Sequence, residues 1–558
     1  MNRSAVEHHS LLPFRQPLAR TRVRFRLLAA AEDLASCQLT CWKRNQPQSR
    51  RTYAMQTRYQ DECKTEWVVD VSFPQEAHYV KYFFTLTGRD GEVLRYGEHG
   101  FFQEEPSQGF FELLQVQEAD VPALPQWAQG CVFYQIFPER FAVGNPSKAL
   151  RDYEPWNARP TRENFLGGDL PGIQAKLPYL RELGVECLYL TPVFAADFNH
   201  KYATADYFHV DPDFGTDEDL AALVEAAHAQ GIRVVLDGVF NHVGIRFPPF
   251  ADLLSKGEES AYRDWFYPKR FPLSIDPDCY ECVGDYPYMP RLRVANPAVR
   301  RYVLEVLTHW LEKANIDGWR FDVADELDAG AVRYWRERVK ARFPDALLLA
   351  ETWGDARRLV AEGDQFDCAM NYLFRDAMVD YFAKAAISET TLDHRLQRML
   401  MKYPDGVNQR MYNCLGSHDT ARFLTECGGD KKRLGLALAF QLLFLGSPAL
   451  YYGDEMGMEG GNDPGCRGGM RWEGGDRELL ETARRFIAMR KEHPALRRGG
   501  YRCALAEDQR HLFAFERFWE EERILVIFNS GDGPQYVDFA DFGGRVDIPP
   551  QSVKIVIK

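Results

Sequence analysis

Four apolar, strand-like runs in this sequence each stop at carboxylates or polar clusters. GIRVVLDGVFNH stops at Asp237, Asn241 and His242, and IDGWRFDVADE at Arg320, Asp322, Asp325 and Glu326. DALLLAETWG stops at Glu351 and Trp353, and RMYNCLGSHDTAR at Ser417, His418 and Asp419. A single acid after a strand most often caps the next helix or meets a surface arginine. Four such ends carry a different meaning if the runs converge. Clustered carboxylates repel one another, so at least one pKa rises and a protonated acid comes to stand beside an ionised one. That combination is what acid-assisted nucleophilic cleavage of a glycosidic bond requires. Arg320 lies two residues before Asp322, on the same face of a strand, and is expected to keep Asp322 ionised. Spacing along the chain does not reveal how far apart the carboxyl groups lie, so retaining and inverting chemistry both stay open at this point.

A (β/α)₈ TIM barrel would bring the four ends together, because its strand C-termini share one mouth. From Val132 onward, apolar runs do alternate with amphipathic helices. One helix carries Leu177, Leu180 and Leu183 before Gly184. The next is capped by Thr216 with Asp219 three residues on, then runs through Leu220, Leu223, Val224 and Ala227 to Gly231. A third opens with Asn296 and Pro297 and carries Val299, Val303, Val306, Leu307, Trp310 and Leu311. Before this α/β region, up to residue 125, the pattern is that of strands. TRVRFRLL alternates Val23, Phe25 and Leu27, and EWVVDVSF, YVKYFFTLT and EVLRYGEHGFFQ follow, so residues 1–125 are expected to form a β-sandwich. The barrel then covers 126–496. Within it, 243–290 is rich in Pro, Asp and Tyr and reads as an inserted subdomain over the mouth. HLFAFERF, ERILVIFN and SVKIVIK predict a small C-terminal β-domain over 497–558.

The formal charge is −13 over 558 residues, with no stripe of Lys and Arg to track phosphates, which argues against nucleic-acid binding. A neutral ligand fits better, and an aromatic content of 13% supplies rings that can stack on sugar faces. The start MNRSAVEHHSLLPFRQPLARTRV lacks the apolar core of a signal peptide, and no run reaches membrane-spanning length. Of the 12 cysteines, Cys279 and Cys282 make a CxxC without a second pair, so reduced thiols, no bound metal and a cytoplasmic location are expected.

FYQIFPERF, FLGGDLPGI, NHKYATADYFHVDPDFG, DGVFNHVG, GWRFDVADE, AETWGDA, GSHDTAR and GSPALYYGDE occur in this order between about residues 130 and 495. In them the chain resembles the α-amylase family of glycoside hydrolases, in particular its neopullulanase, cyclomaltodextrinase and maltogenic amylase group. The resemblance implies a retaining enzyme with Asp322 as nucleophile, Glu351 as general acid/base and Asp419 as a third carboxylate favouring the oxocarbenium-like transition state. It implies that Tyr202 stacks on the sugar at the cleaved bond. Asp237, His242, Arg320, His418, Asp463 and Arg467 would surround that sugar with hydrogen bonds, and Glu326 and Trp353 would lie on the leaving-group side. The implied substrates are cyclomaltodextrins, maltooligosaccharides or pullulan, cleaved at α-1,4 bonds with some α-1,6 cleavage or transglycosylation. An α-glucosidase or transglycosylase on the same fold is the alternative. A non-catalytic sugar-binding subunit would have lost one of the three acids, and all three are present. The leading β-domain resembles the group's starch-binding-like module, which implies a homodimer.

Four departures from the family pattern stand out. The stretch FAVGN places Val143 and Asn145 where relatives carry oxygen-rich calcium ligands, although Gly168 and Asp169 persist. An apolar side chain cannot coordinate a hard cation, so calcium is not expected to be required. Arg293 stands where Asn is usual, Ala203 where Asp is usual, and Asp325 where Asn is usual. All three are expected near the sugar subsites.

Overall fold

The structure, a computed structural model, describes residues 1–105 and 107–558. The chain forms two compact units. One comprises Met1–Ala123, Ala361–Gly363 and Ser388–Asn408; the other comprises Leu124–Val360, Asp364–Ile387 and Gln409–Lys558.

The first unit is a β-sandwich. In one sheet the strand Arg22–Ala30 lies between Arg15–Ala19 and Lys64–Ser72, with Gln56–Gln60 at the far edge. In the other, Leu34–Lys43 and His78–Gly88 form the centre. The period-two pattern explains the burial: Val23, Phe25 and Leu27 point inward and pack with Leu39, Phe84 and Leu86. A helix distant in sequence, Glu389–Lys402, belongs to this unit. Gln397 Oε1 accepts from Gln60 N at 2.7 Å, Arg398 Nε donates to Asp61 Oδ2 at 2.9 Å, and Met401 O accepts from Arg26 at 2.7 Å. The sequence boundaries assign this helix to the barrel region. An amphipathic pattern says that one face is covered, but not by which layer.

The second unit contains the barrel. Its strands are β1 (Phe133–Ile136), β2 (Cys187–Leu190), β3 (Arg233–Gly238) and β4 (Gly318–Phe321), then β5 (Leu347–Ala350), β6 (Cys368–Ala369), β7 (Tyr412–Cys414) and β8 (Ser447–Tyr451). All pairings are parallel, in the order β6-β5-β4-β3-β2-β1-β8-β7, and a single parallel bridge from Met370 to Tyr412 closes the ring between β6 and β7. The residues of β1, β2, β4 and β5 are buried throughout, as expected of strands covered on both faces.

The helices follow their local signals. Helix α1 (Leu177–Leu183) ends at Gly184 in the left-handed conformation, φ 94°. Helix α2 (Asp217–His228) has the Thr216–Asp219 capping box, and α3 (Pro297–Lys313) is capped by Asn296, whose side chain accepts from Ala298 N. Residues 243–290 contain one α-helix, Pro248–Lys256, two short 3₁₀ helices, Gly257–Glu259 and Arg263–Trp265, and isolated bridges at Pro268–Tyr280 and Cys282–Pro290. At the C-terminus, strands Gly500–Glu507, Leu512–Trp519, Glu522–Asn529 and Ser552–Ile557 make an antiparallel sheet. No helix among the described residues is long and apolar enough to cross a membrane.

Candidate active site

Arg320 is the centre of the site. It sits on β4 in register with Asp237 on β3, so the two side chains share the barrel interior just below the strand ends. Its Nη1 donates to Asp237 Oδ1 at 2.9 Å and to Asp322 Oδ1 at 2.8 Å, and its Nη2 lies 2.9 Å from Glu351 Oε2. Asp322 follows β4 and Glu351 follows β5, so adjacent strands deliver the two acids to one guanidinium. Asp237 Oδ2 also accepts from Tyr189 Oη at 2.6 Å and Tyr202 Oη at 2.8 Å. Val323 N donates to Glu351 Oε2 at 2.8 Å. To do so, Val323 adopts φ 46° and ψ 49°, a left-handed conformation that costs a β-branched residue energy and holds the backbone between the two acids in place.

Three carboxyl groups therefore face one cation in a buried cluster, and the charges cannot all balance. Burial and the charge of Glu351 push the Asp322 carboxyl well above its ordinary range, against the pull of Arg320. Asp237 is likewise raised by burial, opposed by Arg320 and the two tyrosines. Arg320 favours the ionised form of Asp322, as expected from the sequence, while burial and Glu351 oppose it. Arg320 does bind Asp322, but its single charge is divided among three acids. The carboxyl of Asp322 thus depends on its neighbour: removing the charge of Glu351 removes one of the two influences that raise it.

A cavity of about 270 Å³ opens above this cluster. Tyr202, His242, Asp322, Glu351, Trp353, Asp419, Asp463 and Arg467 line it, whereas Asp237, Arg320 and His418 lie directly beneath as second partners of those residues. Asp419 is positioned from the β7 side. Its Oδ1 accepts from Arg467 at 3.1 Å, and its Oδ2 is 3.1 Å from His418 Nε2. Arg467 also pairs with Asp463 at 2.8 Å. His418 stacks on Tyr202 at 5.3 Å and 4°, with Nδ1 fixed 2.7 Å from Gln135 Nε2. Burial pushes His200 and His242 down to about 3 and His418 well below its usual value, so all three are neutral at ordinary pH. Trp353 is 51% exposed and stacked on Tyr372 at 4.1 Å, with its ring in the cavity wall. One face is occupied by protein and the other is free for an apolar sugar face.

Glu326 is not part of the cavity wall. It accepts from Asn241 Nδ2 at 3.2 Å and pairs with Arg291 at 3.5 Å. Nor do the departures at Ala203, Arg293 and Asp325 line the cavity: Ala203 is buried, while Arg293 and Asp325 are exposed. Sequence reasoning missed Arg162, His200, Val283, Tyr286, Tyr288, Met289 and Val323, all of which contribute to the wall. Of these, His200 lies within a quoted motif; Val283, Tyr286, Tyr288 and Met289 come from the inserted segment, whose irregular chain offers no periodicity to read. The cavity gathers two acids on one guanidinium, a third acid opposite and an exposed aromatic platform. That set can protonate a leaving oxygen, supply a carboxylate nucleophile and hold a neutral, hydroxyl-rich ligand.

The family described as alpha amylase, catalytic domain, matches residues 135–476, and that described as alpha amylase, N-terminal ig-like domain, matches residues 1–117. The chain is 41% identical to neopullulanase 2 of Thermoactinomyces vulgaris over 540 residues, 96% of this chain and 92% of the relative. It is 45% identical to a cyclomaltodextrinase of Geobacillus thermopakistaniensis over 473 residues, 84% of this chain and 80% of the relative. A solved cyclomaltodextrinase structure superposes with a TM-score of 0.92 at 37% identity, covering 97% of this chain and 93% of that one.

Proposed function

Because the chain belongs to the α-amylase family, we propose that it is a retaining α-glucan hydrolase that cleaves α-1,4-glucosidic bonds in cyclomaltodextrins, maltooligosaccharides or pullulan. The observation that carries this reading is the sharing of Arg320 by Asp322 and Glu351 at the floor of a cavity walled by Asp419, Tyr202 and Trp353.

In the proposed reaction Asp322 attacks the anomeric carbon while Glu351 gives its proton to the departing glycosidic oxygen. A glycosyl ester on Asp322 results. Losing that proton charges Glu351, which then draws a proton from the incoming water, and the second displacement restores the original anomeric configuration. Asp419, held by Arg467, binds sugar hydroxyls and stabilises the positive charge that develops on the ring. Tyr202 stacks beneath that ring, and Asp237 and His418 anchor its hydroxyl. Asp463 and His242 add polar contacts around the glycone, and Trp353 stacks on the leaving side.

Incubating the Glu351→Gln variant with a 2-deoxy-2-fluoroglycosyl fluoride and digesting it should give a glycosylated peptide containing Asp322. A label on another residue, or none under conditions where the reagent is consumed, would overturn the assignment. Product profiles on β-cyclodextrin, pullulan and maltotriose then separate this activity from that of an α-glucosidase or transglycosylase, which would release glucose or build longer chains.

We also infer a cytoplasmic homodimer. The match of residues 1–117 to the family's N-terminal domain supports the dimer, and 12 free thiols support a reducing compartment. Sedimentation at several protein concentrations tests the dimer; a concentration-independent monomer mass would exclude it.

A further inference from the structure

The calcium-site stretch of the resemblance does not fit a metal ion in this protein. Val143 is apolar and 41% exposed. Asn145 turns its side-chain oxygen to Ser147 N at 3.1 Å and donates its own N–H to Asp169. Asp169 Oδ1 accepts from Gly144 N at 2.7 Å and Gly172 N at 2.8 Å; its Oδ2 accepts from Asn145 N at 3.0 Å and Lys148 Nζ at 3.1 Å. Four donors fill the capacity of one carboxylate. Among the described residues, no group of three or more His, Cys, Asp or Glu is arranged to hold a metal ion.

What stands among these oxygens is an ammonium. Lys148 Nζ lies 2.7 Å from Asp213 O, 3.1 Å from Asp169 Oδ2 and 3.3 Å from Gly168 O, and its side chain is only 9% exposed. Tyr153 closes the cage with its ring face 5.3 Å away. We propose that Lys148 is a built-in cation that replaces a structural metal ion: it ties the loop after β1 to Gly168–Asp169 and to Asp213. The tie reaches the active site. The Asp213 carboxylate pairs with Arg151 at 2.7 Å and Lys201 at 3.0 Å, and Lys201, at φ 60°, immediately precedes Tyr202. A lysine is covalently attached, so its charge is present at any free calcium concentration, whereas a bound ion is held by mass action.

Thermal unfolding of the full-length protein tests this. The wild-type Tm should be the same in EDTA and in millimolar CaCl₂. Lys148→Met, which keeps the stem and removes the charge, should lower the Tm by at least about 3 °C in EDTA, and CaCl₂ should recover part of that loss. A wild-type Tm that rises with calcium would overturn the proposal. So would an unchanged Tm in the variant, or a loss that calcium leaves untouched, which would make Lys148 an ordinary hydrogen-bonding peg. If the variant does not accumulate as folded protein, the wild-type comparison still decides between a filled and an open cation site.

Discussion

Replacing Arg320 by methionine removes a cation that Asp237, Asp322 and Glu351 contact at 2.9, 2.8 and 2.9 Å. With charge centres about 4 Å apart and an effective dielectric of about 20, each contact is worth about 4 kcal/mol before relaxation. Proton uptake and water entry absorb part of this. We therefore expect the acid limb of the kcat/KM profile, which reports Asp322, to move toward alkaline pH, because Arg320 is the charge that opposes its raised carboxyl. At pH 7 kcat/KM should drop by about 100-fold, which corresponds to losing about 2.7 of those roughly 4 kcal/mol. The assay is β-cyclodextrin hydrolysis across pH, on protein whose Tm has been checked. Arg320→Lys keeps the charge without the fork that reaches two acids at once, so its profile should fall between the two. A profile with an unmoved acid limb and a uniformly low plateau would refute the electrostatic reasoning and leave Arg320 a packing role.

Glu351→Gln should lower kcat on cyclodextrins by about 10³-fold yet spare substrates whose leaving group needs no proton; equal losses on both would remove Glu351 from the acid role. Trp353→Ala deletes a half-exposed ring that stacks on Tyr372, so KM should rise about fivefold while Tm falls slightly, and an unaltered KM would deny it contact with substrate. Glu139 is buried and pushed up to about 7, mainly by desolvation. Its folded pKa exceeds the unfolded value of 4.5, so its stabilising contribution is complete below about pH 4.5 and is lost as pH rises through 7. Glu139→Gln keeps an acceptor for Leu166 N and Gly167 N, and should flatten the decline of Tm between pH 5 and 8 by up to about 3 kcal/mol in stability. An identical pH slope in the variant would show that another group controls it.

Much of the barrel was readable because two periods coincide with burial: Val299 through Leu311 recur at helical spacing, and the strands are continuous apolar runs. The acids were readable because a polar residue at the end of such a run is out of place in a core. The destination of Glu389–Lys402 was not, since its apolar face is compatible with either layer. Val323 was invisible for another reason: a valine gives no hint of positive φ, and tertiary contacts impose it. Loop-borne wall residues such as Tyr286 and Arg162 depend on where irregular chain returns, which local propensity does not encode. The upward push on the Asp322 carboxyl required knowing that burial and Glu351 oppose Arg320, and that Arg320 has three partners rather than one.

The closure of the ring has an asymmetric consequence. Met370–Tyr412 is one bridge, and β6 is two residues long, whereas β1 through β5 are joined to one another by ladders of four residue pairs each. By backbone pairing this seam is the weakest join in the wall. Asp237, Arg320, Asp322 and Glu351 lie on the fully laddered arc, while Asp419 follows β7, beside the seam. Any loosening of the wall there would therefore disturb the carboxylate that grips the sugar before it disturbed the bond-breaking pair.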